Sequence, residues 1–292
     1  MTDAPPPPGD DAAPRRLGRG VALAIGGVFL LLIVGLTGYA LAGRDDDDGA
    51  ASEPTTAAPA TTTTTTEAVT PEGQPDPPTD SVGDPYAPDS GATGYDATHY
   101  NIAFRYDPAA GTVDGVTTMT ATAEVELEQF SVDLLALEVS GITVDGEAAE
   151  FDVAGRDVRV QPAEPIAAGE EFESEIAYAG VPEPVISAGF PTGWLSTDGG
   201  GAYVIGEPDG AATWFPSNDH PSDKATVDLE VTVPRGWTVA GNGDFAGRDR
   251  NRDGVTWSWR EDDPIATYLV TAAIDHFRMV EEETDGGLPL VS

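Results

Sequence analysis

Between Thr118 and Glu128 the chain alternates strictly: Met119, Ala121, Ala123, Val125 and Leu127 are apolar, and every residue between them is Thr or Glu. A period of two with one wet face predicts a half-buried antiparallel strand. The same period returns where Val227, Leu229, Val231 and Val233 alternate with Asp228, Glu230 and Thr232, and where Val255, Trp257 and Trp259 alternate with Thr256, Ser258 and Arg260. Further strands are expected at 101–106, 132–139, 158–160, 172–178 and 268–274. Turn pairs at Asp145-Gly146, Asn242-Gly243 and Asp253-Gly254 fall between such runs, and the Asn-Gly pair suits a tight hairpin. No segment carries a convincing amphipathic helical period. The pattern predicts an all-β, antiparallel β-sandwich or saddle over residues 94–292, one domain of ordinary size.

Upstream the pattern changes twice. Residues 20–43, which begin at Gly20 and end at Gly43, are uncharged and apolar around the whole helical circumference. At ~1.5 Å per residue they cover the ~30 Å hydrocarbon layer, which predicts one transmembrane helix. Arg15, Arg16 and Arg19 precede it, whereas Arg44 is followed by four aspartates. The positive-inside rule then makes 1–19 a cytoplasmic tail and the rest of the chain extracytoplasmic. Ala40-Leu41-Ala42 has the small-x-small form of a cleavage site, but a signal peptide's apolar core is usually only about 7–15 residues. Either reading exports the remainder. Residues 44–93 are rich in Thr, Pro, Ala, Asp and Gly, with Thr61 to Thr66 unbroken. Such a composition predicts a disordered, extended stalk.

Charge and cysteine content then remove whole classes of function. The 292 residues carry 14 Lys plus Arg against 51 Asp plus Glu, a net charge of −37, with no cluster of basic residues to neutralise phosphates. Nucleic acid is not an expected partner. The chain has no cysteine, so disulfides, thiolate zinc sites and cysteine nucleophiles are excluded together.

One run stands apart in the second half of the domain. It holds Glu207-Pro208, then Trp214-Phe215-Pro216-Ser217-Asn218-Asp219-His220-Pro221-Ser222-Asp223-Lys224-Ala225, then Thr232-Val233-Pro234 and Ala240-Gly241-Asn242-Gly243. Pro264-Ile265-Ala266-Thr267-Tyr268-Leu269 follows, while His99-Tyr100-Asn101-Ile102 and Gly193-Trp194 lead into it. In order and spacing this resembles the N-terminal β-domain of the M1 zinc aminopeptidases, relatives of aminopeptidase N. Independently of that likeness, the prolines mark loop and strand ends, Asn218 and Asp219 suit Asx turns, and Trp214 and Phe215 read as core anchors.

The resemblance implies a substrate-binding role for Glu207, nine residues before Pro216. In the family this position's side chain meets the free α-amino group of a peptide. A carboxylate suits an ammonium ion, the attraction at ~4 Å and a dielectric constant near 20 being about 4 kcal/mol before desolvation. Ile205 stands where some family members carry a second polar cleft residue. The zinc chemistry of the family needs His-Glu-x-x-His on a helix, and His99, His220 and His276 lie too far apart for local ligand spacing. The family's Gly-x-Met-Glu-Asn segment is also missing. No catalytic or metal residue is therefore assigned, and zinc is expected only with a downstream catalytic domain. The expectation is a chain truncated before the zinc site and inactive alone, its partners being the membrane and, with a catalytic domain, a peptide N-terminus. The alternative is a non-catalytic, stalk-displayed binding or scaffold module.

Two smaller patterns have plainer readings. His220 with Asp219 and Asp223 can be drawn as a metal cluster, but a loop histidine bonded to nearby backbone is the simpler expectation. Asp249 to Gly254 matches the first half of a calcium loop, yet Arg260 occupies the position of its bidentate Glu, so a hairpin turn is expected. Gly199-Gly200-Gly201 lacks the lysine of a phosphate loop and reads as a hairpin tip.

Overall fold

The computed structural model describes residues 76–187, 189–284 and 289–291. The expected cytoplasmic tail, the expected span from Gly20 to Gly43 and most of the expected stalk lie outside them. Among the described residues no helix is long and apolar enough to cross a membrane.

The chain runs through β1 (Tyr95–Asp107), β2 (Thr112–Ala123), β3 (Phe130–Asp133), β4 (Glu138–Val144), β5 (Glu147–Ala148) and β6 (Glu150–Ala154). It continues through β7 (Asp157–Gln161), β8 (Glu171–Gly180), β9 (Val185–Ser187), β10 (Phe190–Ser196), β11 (Ala202–Ile205) and β12 (Lys224–Val233). The last six are β13 (Thr238–Gly241), β14 (Asp244–Arg250), β15 (Val255–Ala266), β16 (Ala272–Asp275), β17 (Glu281–Glu283) and β18 (Pro289–Val291). An eight-stranded sheet has the order β14-β15-β12-β1-β2-β8-β4-β5, and a five-stranded sheet the order β13-β16-β11-β10-β9. A three-stranded sheet β3-β7-β6 and the pair β17-β18 complete the set.

The alternating residues face the core as their period requires. In β12 Ala225, Val227, Leu229, Val231 and Val233 are buried, and in β15 Val255, Trp257 and Trp259. In β1 a register shift between Ala97 and His99 turns Tyr100, Ile102 and Phe104 inward and leaves His99 on the outer face. The large and middle sheets meet through aromatic edges: Phe104 packs on Trp194 and Trp214 with ring centroids 6.0 and 5.9 Å apart. One apolar core thus serves the eight-, five- and three-stranded sheets, which is why their inward faces read as one continuous pattern.

The structure is all-β as expected, but several local expectations fail. β1 and β12 pair in parallel, with His99 opposite Thr226, in an otherwise antiparallel sheet. The strand expected to reach Glu128 ends at Ala123, because the Glu124 and Val125 amides turn to the Gly94 carbonyl. The strand expected at 132–139 is broken after Asp133, whose backbone exchanges hydrogen bonds with Ser217, and Ala136 takes a φ of 60° before β4 begins. The strand expected from Tyr268 starts instead with a 3₁₀ turn, Thr267–Leu269. Asp145-Gly146 and residues 251–254 do close hairpins, as does the glycine run 199–201.

Asn242-Gly243 is not a hairpin. β13 pairs with β16 and β14 with β15, so the two residues carry the chain from one sheet to the other. The Asn242 side chain fixes this corner, donating from Nδ2 to the Leu269 carbonyl at 2.9 Å and accepting from the Thr271 amide at 2.6 Å. Gly243 has a φ of 69°, and a Cβ there would run into the Arg260 carbonyl. Gly243→Ala is therefore expected to cost about 1–3 kcal/mol. Gly146→Ala, at a φ of 81° but in open space, adds no collision. Urea midpoints of the two variants check the order; equal midpoints would mean that the contact at Gly243 relaxes freely.

The domain also begins earlier than composition suggests. From Thr79 the chain lies against the sheets as a strap rather than extending as a stalk: Thr93 and Thr79 are bonded to each other, and Asp80 meets Arg159 at 2.7 Å. Ser90 and Ala92 are buried. The Gly91 amide donates to Asp133 Oδ2 at 3.0 Å, and the Ala92 amide donates to Asn218 Oδ1 at 2.7 Å. Order here comes from backbone donors meeting distant side chains, a signal that Pro- and Asp-rich composition conceals.

Candidate functional site

β11 alternates Ala202 and Val204 inward with Tyr203 and Ile205 outward, 42% and 51% exposed. It is followed by Gly206, where a Cβ would meet the Tyr268 carbonyl, so this residue and the 3₁₀ turn approach as only glycine allows. The Gly210 amide then donates to the Gly206 carbonyl at 2.7 Å, closing a turn over residues 206–210. Glu207 lies in this turn with its side chain exposed and no hydrogen-bond partner for its carboxylate among the described residues. Its backbone is fixed, since Thr192 Oγ1 on β10 donates to its carbonyl at 3.1 Å.

The segment after the turn is held just as firmly. Thr213 Oγ1 donates to the Gly210 carbonyl at 2.7 Å and accepts from the Trp194 amide at 3.0 Å. Trp214 and Phe215, 1% and 0% exposed, are core anchors as expected.

Asn218 and Asp219 do more than make turns. The Asn218 amide donates to the Tyr100 hydroxyl at 2.9 Å, while Asn218 Nδ2 donates to Asp223 Oδ2 at 2.6 Å. Asp219 Oδ1 accepts from Thr267 Oγ1 at 2.8 Å, and its Oδ2 accepts from the Ala212 amide at 3.1 Å. Asp133 on β3 accepts from the Gly91 and Asp219 amides at 3.0 and 2.9 Å.

Arg156, in the turn between β6 and β7, joins these groups. Its Nε lies 2.8 Å from Asp133 Oδ1, its Nη2 3.5 Å from Asp219 Oδ2 and its Nη1 3.8 Å from Asp209 Oδ2. One guanidinium faces three carboxylates, of which those of Asp133 and Asp219 are almost wholly buried and that of Asp209 only partly. Burial and the charge of Asp133 push the Asp219 carboxyl up to about 7, against the pull of Ala212, Thr267 and Arg156. Burial also raises Asp133, with Arg156 and the two amides opposing it. Asp223 is pushed up to about 6, again chiefly by burial.

The three histidines are spoken for. His99 Nδ1 lies 2.8 Å from Thr226 Oγ1, and His276 stacks on Trp237 with its Nδ1 2.8 Å from the Gly236 carbonyl. His220 Nδ1 accepts from the Ser222 amide, which leaves the ring proton on Nε2 facing Asp84 Oδ2 at 3.3 Å. The drawn cluster of His220, Asp219 and Asp223 does not form, since the two acids point to other partners. Among the described residues no group of three or more His, Cys, Asp or Glu is placed to hold a metal ion. These residues do not fit a zinc site.

The sequence profile of the peptidase M1 N-terminal domain matches residues 96–269. The chain belongs to this family. Its fold is similar to that of an M1 zinc metallopeptidase from Deinococcus radiodurans, solved alone and, as a variant, with a Tyr-Ser-Ala substrate; both comparisons give 28% identity and a TM-score of 0.67 over 72% of this chain. A two-domain M1 zinc metallopeptidase variant bound to L-tryptophan is 29% identical, again at 0.67 over 72% of this chain. The present chain spans about half the length of these solved peptidases, 49–50% of each. No curated protein matches it.

Within this M1 N-terminal domain, Glu207, the buried acids and Arg156 all lie inside the matched region, whereas the strap before Tyr95 lies outside it. Arg156 and Asp133 were invisible as partners in the sequence. Each sits in an ordinary strand or turn context; the pairing of β3 with β7, which sets Asp133 opposite Asp157, brings them together, and the loop before β12 adds Asp219.

Proposed function

We propose that this chain supplies the N-terminal domain of a membrane-anchored, extracytoplasmic M1-type aminopeptidase, and that Glu207 is where the domain meets the substrate's free α-amino group. The observation that carries the reading is Glu207 itself: an exposed, unpartnered carboxylate on a turn whose backbone is fixed from three sides. The fixed backbone sets where this carboxylate starts from, and no intramolecular bond has to be broken before it meets an ammonium ion. Tyr203 and Ile205 extend from it as an apolar outward face suited to a cleft wall or to packing against a further domain. The solved relative binds a peptide, Tyr-Ser-Ala, which fits the same substrate class. Anchoring rests on the apolar residues 20–43 and the arginines before them. Hydrolysis itself needs a zinc-bearing segment that these 292 residues do not contain.

The test joins this domain to the catalytic domain of a close relative and compares Glu207→Ala and Glu207→Gln with the parent. Glu207→Ala should lower kcat/KM for free-amino substrates by about 10–100-fold, with stability changed by less than about 0.5 kcal/mol because the side chain holds nothing in place. Glu207→Gln, which keeps an acceptor without the charge, should fall between. Kinetics equal to the parent for both variants would return Glu207 to the status of a loop acid.

A further inference from the structure

Arg156 is far from β11 in sequence, yet its three nitrogens touch three different segments. Nε meets Asp133 at the end of β3, Nη2 meets Asp219 in the loop before β12, and Nη1 meets Asp209, two residues past Glu207. Its side chain is 13% exposed, and those of Asp133 and Asp219 are 3% and 1% exposed. We propose that Arg156 is a positioning residue for the amine-recognition turn, tying Asp209 to the buried Asp133–Asp219 pair so that the turn presents the Cα–Cβ bond of Glu207 in one direction. This rests on the role of Glu207 given above and adds the group that sets its position.

The Glu207 carboxylate makes no hydrogen bond or ion pair among the described residues, so the backbone of 206–210 sets the point and direction from which the side chain leaves the turn. That backbone is held on the β10 side by Thr192, on the core side by Thr213 and the Asp219–Ala212 bond, and on its remaining side by the Arg156–Asp209 pair. A planar fork with nitrogens in fixed relative directions spans three acids at once, whereas an ammonium is a point charge that serves one or two. Asp209 Oδ1 is buried with no hydrogen-bond partner, so the pair to Arg156 through Oδ2 is what holds this carboxylate. Remove that pair and the turn keeps its backbone ties but loses the one ion pair that holds the Asp209 carboxylate.

The experiment uses the full 292-residue chain, isotope-labelled, as parent, Arg156→Gln, Arg156→Lys and Asp209→Asn. Two readouts are followed by NMR: hydrogen exchange of the Gly210 and Ala212 amides, and shifts at 205–210 on adding tyrosinamide, with N-acetyltyrosinamide as the blocked control. Arg156→Gln should speed exchange at Gly210 about tenfold and weaken the tyrosinamide response about fivefold. Arg156→Lys should recover only part of either effect. Asp209→Asn, which leaves the Asp133–Asp219 contacts in place, should reproduce Arg156→Gln at Gly210 while sparing Ala212. If Arg156→Gln does not fold, Asp209→Asn decides alone. A parent that ignores tyrosinamide removes the amine role of Glu207 but leaves the exchange arm to judge Arg156. Parent-like exchange at Gly210 in Asp209→Asn overturns the proposal.

Discussion

Asp133→Ala is expected to destabilise the domain by about 3–5 kcal/mol, more than any other single polar truncation in it. The carboxylate is almost wholly buried and accepts from three donors: Arg156 Nε at 2.8 Å, the Asp219 amide at 2.9 Å and the Gly91 amide at 3.0 Å. Removing it leaves a guanidinium without its shortest partner and two buried amides with nothing to receive them. Breaking a buried pair from one side costs about this much because the other charge stays behind. The exposed pair Arg260–Asp228, also at 2.8 Å, provides the contrast. There Asp228→Ala should cost less than about 1 kcal/mol, since water takes over the lost contact. Urea unfolding of the two variants side by side measures the difference. Equal losses would mean that water enters the Asp133 site freely. The strap gives a second readout, because the Gly91 amide should exchange faster in Asp133→Ala than in the parent.

The second large effect is a dependence of stability on pH that runs opposite to acid denaturation. Asp219 has a carboxyl pushed up from 3.8 to about 7 in the fold, by burial first and by the charge of Asp133 second. From about pH 4 to about pH 7 the folded chain keeps this proton while the unfolded chain has released it. Stability therefore falls as pH rises across that window, because unfolding gives up a proton. The loss is complete above about pH 7 and amounts to a few kcal/mol, on the order of 1.4 kcal/mol per tenfold change in proton affinity. Asp223, pushed up to about 6, adds a loss of the same sign that is complete at a lower pH. Asp219→Asn removes the titration at Asp219, so the parent should weaken relative to this variant by about 2–4 kcal/mol between pH 4.5 and 7.5. A parent that gains on the variant as pH rises would show that Asp219 is ionised throughout.

Much of the fold was legible because burial and alternation coincide in it. Val227 to Val233 and Val255 to Trp259 face the core in the order their period predicts, and Trp214 and Phe215 sit where large apolar residues beside a tight loop belong. The Phe-Pro to Lys-Ala run pointed to the right family for the same reason: its residues make one loop whose turns and anchors are local. What was not legible depends on partners far away in the chain. Asn242-Gly243 has the composition of a hairpin, yet its side-chain bonds to Leu269 and Thr271 make it a corner between sheets. The strap from Thr79 reads as stalk because its ties, backbone amides at Gly91 and Ala92 and the Asp80–Arg159 pair, reach partners far along the chain, which composition does not reveal. Arg156 stands between Gly155 and Asp157 like any turn residue, and nothing nearby announces that three acids converge on it. Glu207 was found from its place in a motif, but its freedom from partners and the bracing behind it belong to the packing.

The parallel pairing of β1 with β12 carries a consequence for biosynthesis. His99 and Thr226 are neighbours across the middle of the large sheet although 127 residues separate them. β1 can take β2 as soon as both are made, whereas its other side waits for a strand translated much later. Until then the nascent chain exposes an unpaired edge whose inward face includes Tyr100, Ile102 and Phe104, a ready template for a neighbouring chain. Closing so long a loop makes this a slow, late contact in folding. Every newly made chain passes through that interval, so chaperone cover at this edge, more than final stability, sets the yield of folded domain.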